Sequence, residues 1–403
     1  MSRYQRPHDD GHEQRTTTLE LFFDLVFVFA ITQVSHLLLD NLTLQGVGHA
    51  VLALLVVWWA WNYTTWVTNE LDPGSLVVRL LLLGLMFGSL LLAVAIPEAF
   101  GERALLFAGS YVAIQVGRHA FLTFAAAVRG TVERERSGRI LVWLSAAGVL
   151  WLAGALSDGD ARTALWVAAL AVDYCAPLVL YWVPGRPRLG EGTWEVGTAH
   201  FAERFQLFLI IALGETIVII GATTAELDLG TPRVAALGLA FLSTAALWWL
   251  YFDYVARIAE RRLELARERT KLARDAYTYL HVVIVAGVIL CGIGDKLVIA
   301  HPSEELPARE VAAVAAGPAL YLLAQTLFRL RMAGSVAWKR LGGAVACVVV
   351  ALALSSTPAL VLAAGEVAVL VAVIALERLA SARRAARGEP APLERLDATA
   401  TPR

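Results

Sequence analysis

Leu19-Glu20-Leu21-Phe22-Phe23-Asp24-Leu25-Val26-Phe27-Val28-Phe29-Ala30-Ile31-Thr32-Gln33-Val34-Ser35-His36-Leu37-Leu38 is long enough to cross a bilayer and almost wholly apolar, yet it carries two acids one helical turn apart. About 20 predominantly apolar residues suffice for a helix to span hydrocarbon. Stretches of this kind recur near 19–38, 47–67, 76–96, 103–128, 139–156, 162–183, 198–222, 232–254, 276–299, 311–328, 341–355 and 358–377, which predicts twelve spans. With the N-terminal tail placed in the cytoplasm, the basic residues outside the spans collect on one side. That side holds Arg3, Arg6, Arg15, Arg79, Arg129, Arg134, Arg136, Arg139, Arg186 and Arg188, seven more from Arg257 to Arg274, four from Arg329 to Arg340 and six in the C-terminal tail. The far side holds only Arg103, Arg162, Arg233, Lys296 and Arg309. Such alternation is the positive-inside pattern. The expected fold class is an all-α polytopic membrane protein of about 12 transmembrane helices with both termini cytoplasmic.

Composition agrees: 58% of residues are hydrophobic and 17% charged, far from the usual soluble balance. A net charge of −1 gives no reason to expect nucleic acid as a partner. The polar first 18 residues run directly into a span-length segment, unlike a cleavable signal peptide. Cys175, Cys291 and Cys347 all fall inside predicted spans without disulfide or metal spacing, so they are expected as small packing residues.

The breaker-rich run Pro184-Gly185-Arg186-Pro187-Arg188-Leu189-Gly190-Glu191-Gly192 divides the chain. Residues 1–18 form a cytoplasmic tail, 19–183 a first six-helix half, 184–197 a cytoplasmic linker, 198–378 a second six-helix half and 379–403 a disordered cytoplasmic tail. Arg257–Arg274 alternates acids and bases and is expected to be a helical extension with i,i+4 pairs. The halves look related. Trp58-Trp59-Ala60-Trp61 parallels Trp248-Trp249-Leu250-Tyr251, and Tyr111 with Gln115 matches Tyr321 with Gln325. Glu20 and Glu203 open the first and seventh spans. An even number of spans per half makes the expected duplication parallel.

A charge inside hydrocarbon costs at least about 2.5–3.5 kcal/mol on insertion scales, so each one needs a partner or a purpose. Glu20 and Asp24 project from one helix face near the cytoplasmic end, Ile31 and Ser35 continue that stripe, and His36 lies near its outer end. In the seventh span His200, Glu203, Arg204 and Glu215 fall within a sector of roughly 120°. Glu215, past the middle of its span, is the candidate proton-exchanging group. Arg118, followed by His119, is a candidate counter-ion for Asp24 or Glu215. Asp173 precedes Tyr174-Cys175-Ala176-Pro177, where proline frees a carbonyl and interrupts the helix, as at transporter ion sites. His36, Gln115, His281 and Gln325 are weaker candidates for the same path. Asp253, Asp295 and Lys296 read as solvated span ends. Trp58, Trp59, Trp61 and Trp66, with Trp248, Trp249 and Tyr251, read as interfacial belts. No Walker loop, dinucleotide fingerprint, H-E-x-x-H, C-x-x-C or G-x-S-x-G occurs, so neither a catalytic residue, a metal nor a cofactor is expected.

Thr18–Gln33 closely resembles the opening of the bacterial low-temperature-requirement A family (LtrA). The stretch from His200-Phe201-Ala202-Glu203-Arg204 to Leu213-Gly214-Glu215-Thr216 resembles that family's second signature. The resemblance covers essentially the whole chain. It implies a multi-pass protein of the bacterial inner membrane linked by name to growth in the cold, without a settled biochemical activity. Phe22-Phe23-Asp24 is also similar to the Phe-Ser-Asp that opens pore helices in a class of potassium channels, but Phe23 replaces the serine and the second half has Gln206-Leu207. The leading expectation is a proton- or cation-coupled transporter. Glu20 and Asp24 would form an acidic cytoplasmic mouth, Glu215 the protonatable group, and Arg118 and Arg204 the counter-charges. The alternatives are a cation channel, or a membrane-integral enzyme or sensor with no transport activity, the enzyme ranking below transport. Partners are the lipid bilayer and a small solute or ion, with an oligomer permitted.

Overall fold

Polar caps and apolar runs set where each helix begins. The computed structural model describes residue 4 and residues 16–194, 196–253 and 255–400; most of the expected N-terminal tail lies outside the described residues. Thr17 caps α1 (Thr18–Leu39) through a reciprocal capping box in which Glu20 bonds back to the Thr17 backbone and hydroxyl, at 2.8 Å each. Thr43 caps α2 (Leu44–Thr68) and Thr131 caps α5 (Val132–Ala155). Between them lie α3 (Leu76–Ala95) and α4 (Ala104–Phe121), with α6 (Gly159–Cys175) following. The second half of the chain contains α7 (Thr198–Ala225), α8 (Thr231–Phe252), α9 (Val255–Leu265), the single turn α10 (Arg269–Leu272), α11 (His281–Ala300), α12 (Ala308–Ala333), α13 (Trp338–Ala353), α14 (Ala359–Ala386) and α15 (Pro392–Ala400). A π-helical segment extends α4 over Leu122–Ala126, and another leads into α11 over Ala273–Leu280. The described residues hold no strand, only an isolated bridge between Glu305 and Pro358.

Nine helices among the described residues are long and apolar enough to cross a membrane. The other three expected spans are helical but fall short. α4 is loaded with Gln115, Arg118 and His119. α6 has 17 residues and α13 has 16. Each of these two reaches only about 25 Å at 1.5 Å per residue, against a hydrocarbon core of ~30 Å. α6 stops because Pro177 brings no N–H to continue its ladder, and Leu180 and Tyr181 then take left-handed backbone angles, φ 52° in both.

The chain forms two compact units, Met1–Phe201 and Ala202–Arg403. In the first, α1 packs on α2 and α3, and α3, α4, α5 and α6 pack in sequence. The connecting segment after α6 is pinned by the start of α5: Arg136 bonds Glu70 and the Thr193 carbonyl, and Arg139 bonds Glu135 and the Pro187 carbonyl. In the second unit α11 and α12 form the most extensive contact, and α13, α14 and α8 complete the packing. Small residues let α11 and α12 approach closely, as between helices in membranes. A Cβ on Gly287 would lie 2.8 Å from the Tyr321 backbone, and one on Gly317 2.5 Å from the Cys291 nitrogen.

Two expectations are corrected here. Trp58, Trp59 and Trp61 are fully buried rather than interfacial, because each indole meets another ring or a carboxylate inside the protein. Residues 257–274 do not form one helix. It breaks after Leu265, and its ion pairs are i,i+3, Arg261 with Glu264 at 2.8 Å and Lys271 with Glu268 at 3.3 Å. In the C-terminal segment α14 continues to Ala386, and α15 begins at Pro392 with Glu394 accepting from the Ala391 N–H. Asp397 ties α15 to Arg261 at 2.6 Å.

The α11–α12 contact predicts that Gly317→Leu lowers the thermal unfolding temperature of the detergent-purified protein by several degrees, since overpacking typically costs about 1–3 kcal/mol. Gly84→Leu, where a Cβ meets nothing within 4 Å, should leave that temperature unchanged.

Candidate functional site

In the first unit α4 carries a polar ladder on one face. Tyr111, Gln115 and Arg118 are all buried, spaced to stack on successive turns. The Arg118 guanidinium donates to Gln115 Oε1, the Gln115 amide donates to the Tyr111 oxygen at 3.1 Å, and the Tyr111 hydroxyl donates to Asp173 Oδ2 at 2.9 Å. Trp151 Nε1 adds a second donor to the same carboxylate oxygen at 3.0 Å. Every donor points from the cation toward the anion. A buried guanidinium and a buried carboxyl are thereby joined through two neutral groups, each bond polarising the next.

Arg118 is held from α2 as well. It donates to Thr64 Oγ1 at 2.9 Å and to the Ala60 carbonyl at 3.5 Å, and its guanidinium lies 5.3 Å from the centre of the Tyr63 ring. The Tyr63 and Tyr181 hydroxyls meet at 2.8 Å. Tyr181 is one of the two non-glycine residues in left-handed conformation after α6, an arrangement costing roughly 1–2 kcal/mol per residue. Strained backbone thus delivers a hydroxyl to the cation's aromatic floor. The broken end of α6 also places Tyr174 against Trp59, ring centres 3.7 Å apart, with the Tyr174 hydroxyl on the Leu55 carbonyl at 2.9 Å.

Glu20 and Asp24 do not act as one pair. Glu20 belongs to the α1 cap and also meets His200 Nε2 at 2.9 Å, while Asp24 Oδ1 accepts from Trp61 Nε1 at 2.8 Å. Turning the Asn69 amide so that its nitrogen donates to His200 Nδ1 and the Gly197 carbonyl, and its oxygen accepts from the Gly197 N–H, satisfies all three contacts. His200 then carries its proton on Nε2 and donates it to Glu20. Arg118 finds its acceptors on α2 and α4, and Asp24 is not among them. His36 is exposed at the end of α1, off this network.

In the second unit Gln325 Oε1 accepts from Arg340, which also donates to the Leu250 carbonyl at 3.0 Å and grips Glu377 with two bonds of 2.9 Å. The Tyr321 hydroxyl donates to the Leu247 carbonyl at 2.5 Å. His281 is enclosed by rings, with Phe205, Tyr251, Tyr277 and Phe328 centred 5.4, 5.6, 6.1 and 6.0 Å away. On α7, Arg204 and Glu215 are buried and Glu203 is half-buried.

Sequence reasoning missed Glu366. It is 4% exposed on α14, and among the described residues its carboxyl has no ion pair and no oxygen or nitrogen donor. The Cys347 thiol lies beside it, with Cys291 and Asp295 in the same neighbourhood. The signal was a single glutamate inside the apolar run Ala359–Leu376. Asp295 is not a solvated span end: it sits within α11, half-buried, with Oδ2 lacking a partner among the described residues. Tyr63, Thr64, Trp151 and Tyr181 were also missed, because nothing in a helical repeat marks a hydroxyl or indole as a ligand of a distant charge. Among the described residues no group of three or more His, Cys, Asp or Glu could hold a metal ion.

A family model described as bacterial low temperature requirement A protein matches residues 15–375. A protein of Rhizobium meliloti (strain 1021), titled only as uncharacterized, is 41% identical over 320 residues, covering 79% of this chain and 77% of the relative. No solved structure matches.

The ladder predicts energetic coupling along α4 and α6. Tyr111→Phe and Asp173→Asn should each destabilise the purified protein, and the double variant should fall short of their sum by about 0.5–3 kcal/mol, the range for residues sharing one network. Strict additivity in thermal or denaturant unfolding would remove the ladder.

Proposed function

The chain belongs to the bacterial low temperature requirement A family, and we propose that it is an inner-membrane transporter coupled to protons or cations, built of twelve helices as a duplicated six-helix unit. The observation carrying this reading is Asp173, buried at the interrupted end of α6 and joined through Tyr111 and Gln115 to a fully buried Arg118. Irregular backbone at membrane depth is tolerated where it is enclosed by protein or lines a polar cavity, and an interrupted helix with an acid beside it is the way secondary transporters build ion sites. A role in packing alone is a poor account of it, since replacing buried ionic groups by apolar ones of similar volume is often neutral or stabilising.

Glu366 supports the same reading from the second unit. Its carboxyl is buried on α14 with the Cys347 thiol as a neighbouring donor, and burying a charge without strong partners is costly. Such a group can load and release a proton when its surroundings change. On this reading Glu215 is a further protonatable carboxyl, Glu20 and Asp24 serve the cytoplasmic mouth, and His200, Glu203 and Arg204 adjust the charge around them.

The duplication is supported by matching acceptors in the two units. In each, a guanidinium is shared between the side chain of a glutamine four residues after a tyrosine and the backbone carbonyl at the third position of a Trp-Trp-x-aromatic run. These are Gln115 and Ala60 in one unit, Gln325 and Leu250 in the other. The arginine itself differs in origin, coming from α4 in the first and α13 in the second.

Purified protein in proteoliposomes, with a trapped pH dye and imposed potassium or sodium gradients, tests the function. Wild type should move protons together with a cation or solute, and Asp173→Asn and Glu366→Gln should each lose most of that movement while reconstituting normally. Retention of the full wild-type rate and pH profile in both variants would make these carboxyls structural. Unitary currents without coupled proton movement would favour a channel instead.

A further inference from the structure

A cavity of about 290 Å³ opens in the second unit, lined by the ends of α8 and α14, the turn between α12 and α13, and the start of α13. Arg329, Lys339, Arg340, Arg378 and Arg384 line it, against only two acids, Asp253 and Glu377. Both acids are already engaged: Arg340 grips Glu377, and Arg378 meets Asp253 at 2.9 Å. Three cations remain without an ion pair. Arg329 only approaches the Ser335 hydroxyl, at 3.4 Å, and Lys339 donates to the Leu376 carbonyl at 2.7 Å. The Arg384 side chain makes no hydrogen bond among the described residues. With five basic and two acidic side chains, the cavity keeps a net surplus of three positive charges.

Two further features suit an anion. α13 starts here without a side-chain cap, so the backbone N–H groups of its first turn are open to an anionic oxygen. The surroundings are those of a membrane surface. Trp338 is 73% exposed and Trp249 42%, and Leu376 and Leu379 are exposed on α14 beside the cavity. Exposed indoles at helix ends mark the headgroup level of a bilayer. The count of basic residues puts this level at the cytoplasmic leaflet, where anionic lipids gather and basic pockets between spans bind their headgroups.

We propose that this cavity is a binding site for an anionic phospholipid, with the phosphodiester between Arg329, Lys339, Arg384 and the first turn of α13, and the acyl chains along the exposed apolar face of α14. Arg340 and Arg378 are not free for the task, since each already neutralises an acid and fixes α13 or α14 in place. They shape the site, and the three unpaired cations bind.

The test uses the full-length protein purified in a neutral detergent, with thermal unfolding followed at low ionic strength. Short-chain phosphatidylglycerol at saturating concentration should raise the unfolding temperature by about 4 °C or more, as expected for a ligand of the folded state. Phosphatidylcholine of equal chain length and inorganic phosphate should not. The combined variant Arg329→Gln, Lys339→Gln, Arg384→Gln should lose the shift. Should that variant fail to fold, Arg384→Glu, at a side chain with no hydrogen bond to lose, must weaken the response on its own. An equal shift with phosphatidylcholine would overturn the proposal, as would a full shift in the variants. An equal shift with inorganic phosphate would also overturn it, because the site would then take a soluble anion.

Discussion

A guanidinium buried where no water can reach it dictates much of the first unit. Arg118 requires acceptors, and the fold supplies its two terminal nitrogens from a neighbouring turn of α4 and from a carbonyl and hydroxyl of α2, with an aromatic face beneath. Each of these constrains more than itself. Thr64 can accept from Arg118 because its own hydroxyl hydrogen is spent on the Ala60 carbonyl at 2.9 Å. Gln115 must present its oxygen to the arginine, so its nitrogen is left for Tyr111, and Tyr111 is left with one proton to give. That proton goes to Asp173. The direction of the chain follows from the fixed donor inventory of each side chain, and it brings α2, α4 and α6 into register.

The interruption of α6 belongs to the same constraint. A continuous helix through residue 183 would carry Tyr181 away on the regular spiral and leave the Tyr63 hydroxyl without its partner. Pro177 ends the ladder, and two consecutive left-handed residues turn the chain back. Strain of roughly 1–2 kcal/mol per residue persists only where the surroundings over-determine it. Here the surroundings are a bonded pair of tyrosine hydroxyls at 2.8 Å and a Trp59–Tyr174 stack.

Much of the helical architecture was legible because hydrocarbon permits few alternatives: backbone polar groups must be satisfied within the span, so length and apolarity nearly define each helix. The spacing Tyr111–Gln115 and Tyr321–Gln325 was legible for the same reason, since four residues bring side chains to one face. The partners were not. Glu20 meets His200 across 180 positions of sequence, and helical periodicity says which face a residue occupies, never what lies opposite. The buried indoles show the same gap. Trp61 looks like an interfacial anchor by position, but its N–H is needed by Asp24 in the interior. Spans α4 and α6 fell below the ordinary threshold of length or apolarity because the polar ladder and the proline break are built into them.

The two units answer one problem, a buried guanidinium, in different ways. In the first, Arg118 has no carboxylate in contact, and its charge is balanced by Asp173 only through Tyr111 and Gln115. In the second, Arg340 sits at a helix start and is neutralised directly by Glu377. Glu366, about three turns earlier on α14, has no ion pair among the described residues and only the Cys347 thiol beside it as a donor. A pair joined through intermediates is sensitive to any motion that breaks one link. If the halves descend from one six-helix unit, each has kept a buried carboxyl, held in the first by a ladder that ends on a guanidinium and set in the second beside a thiol.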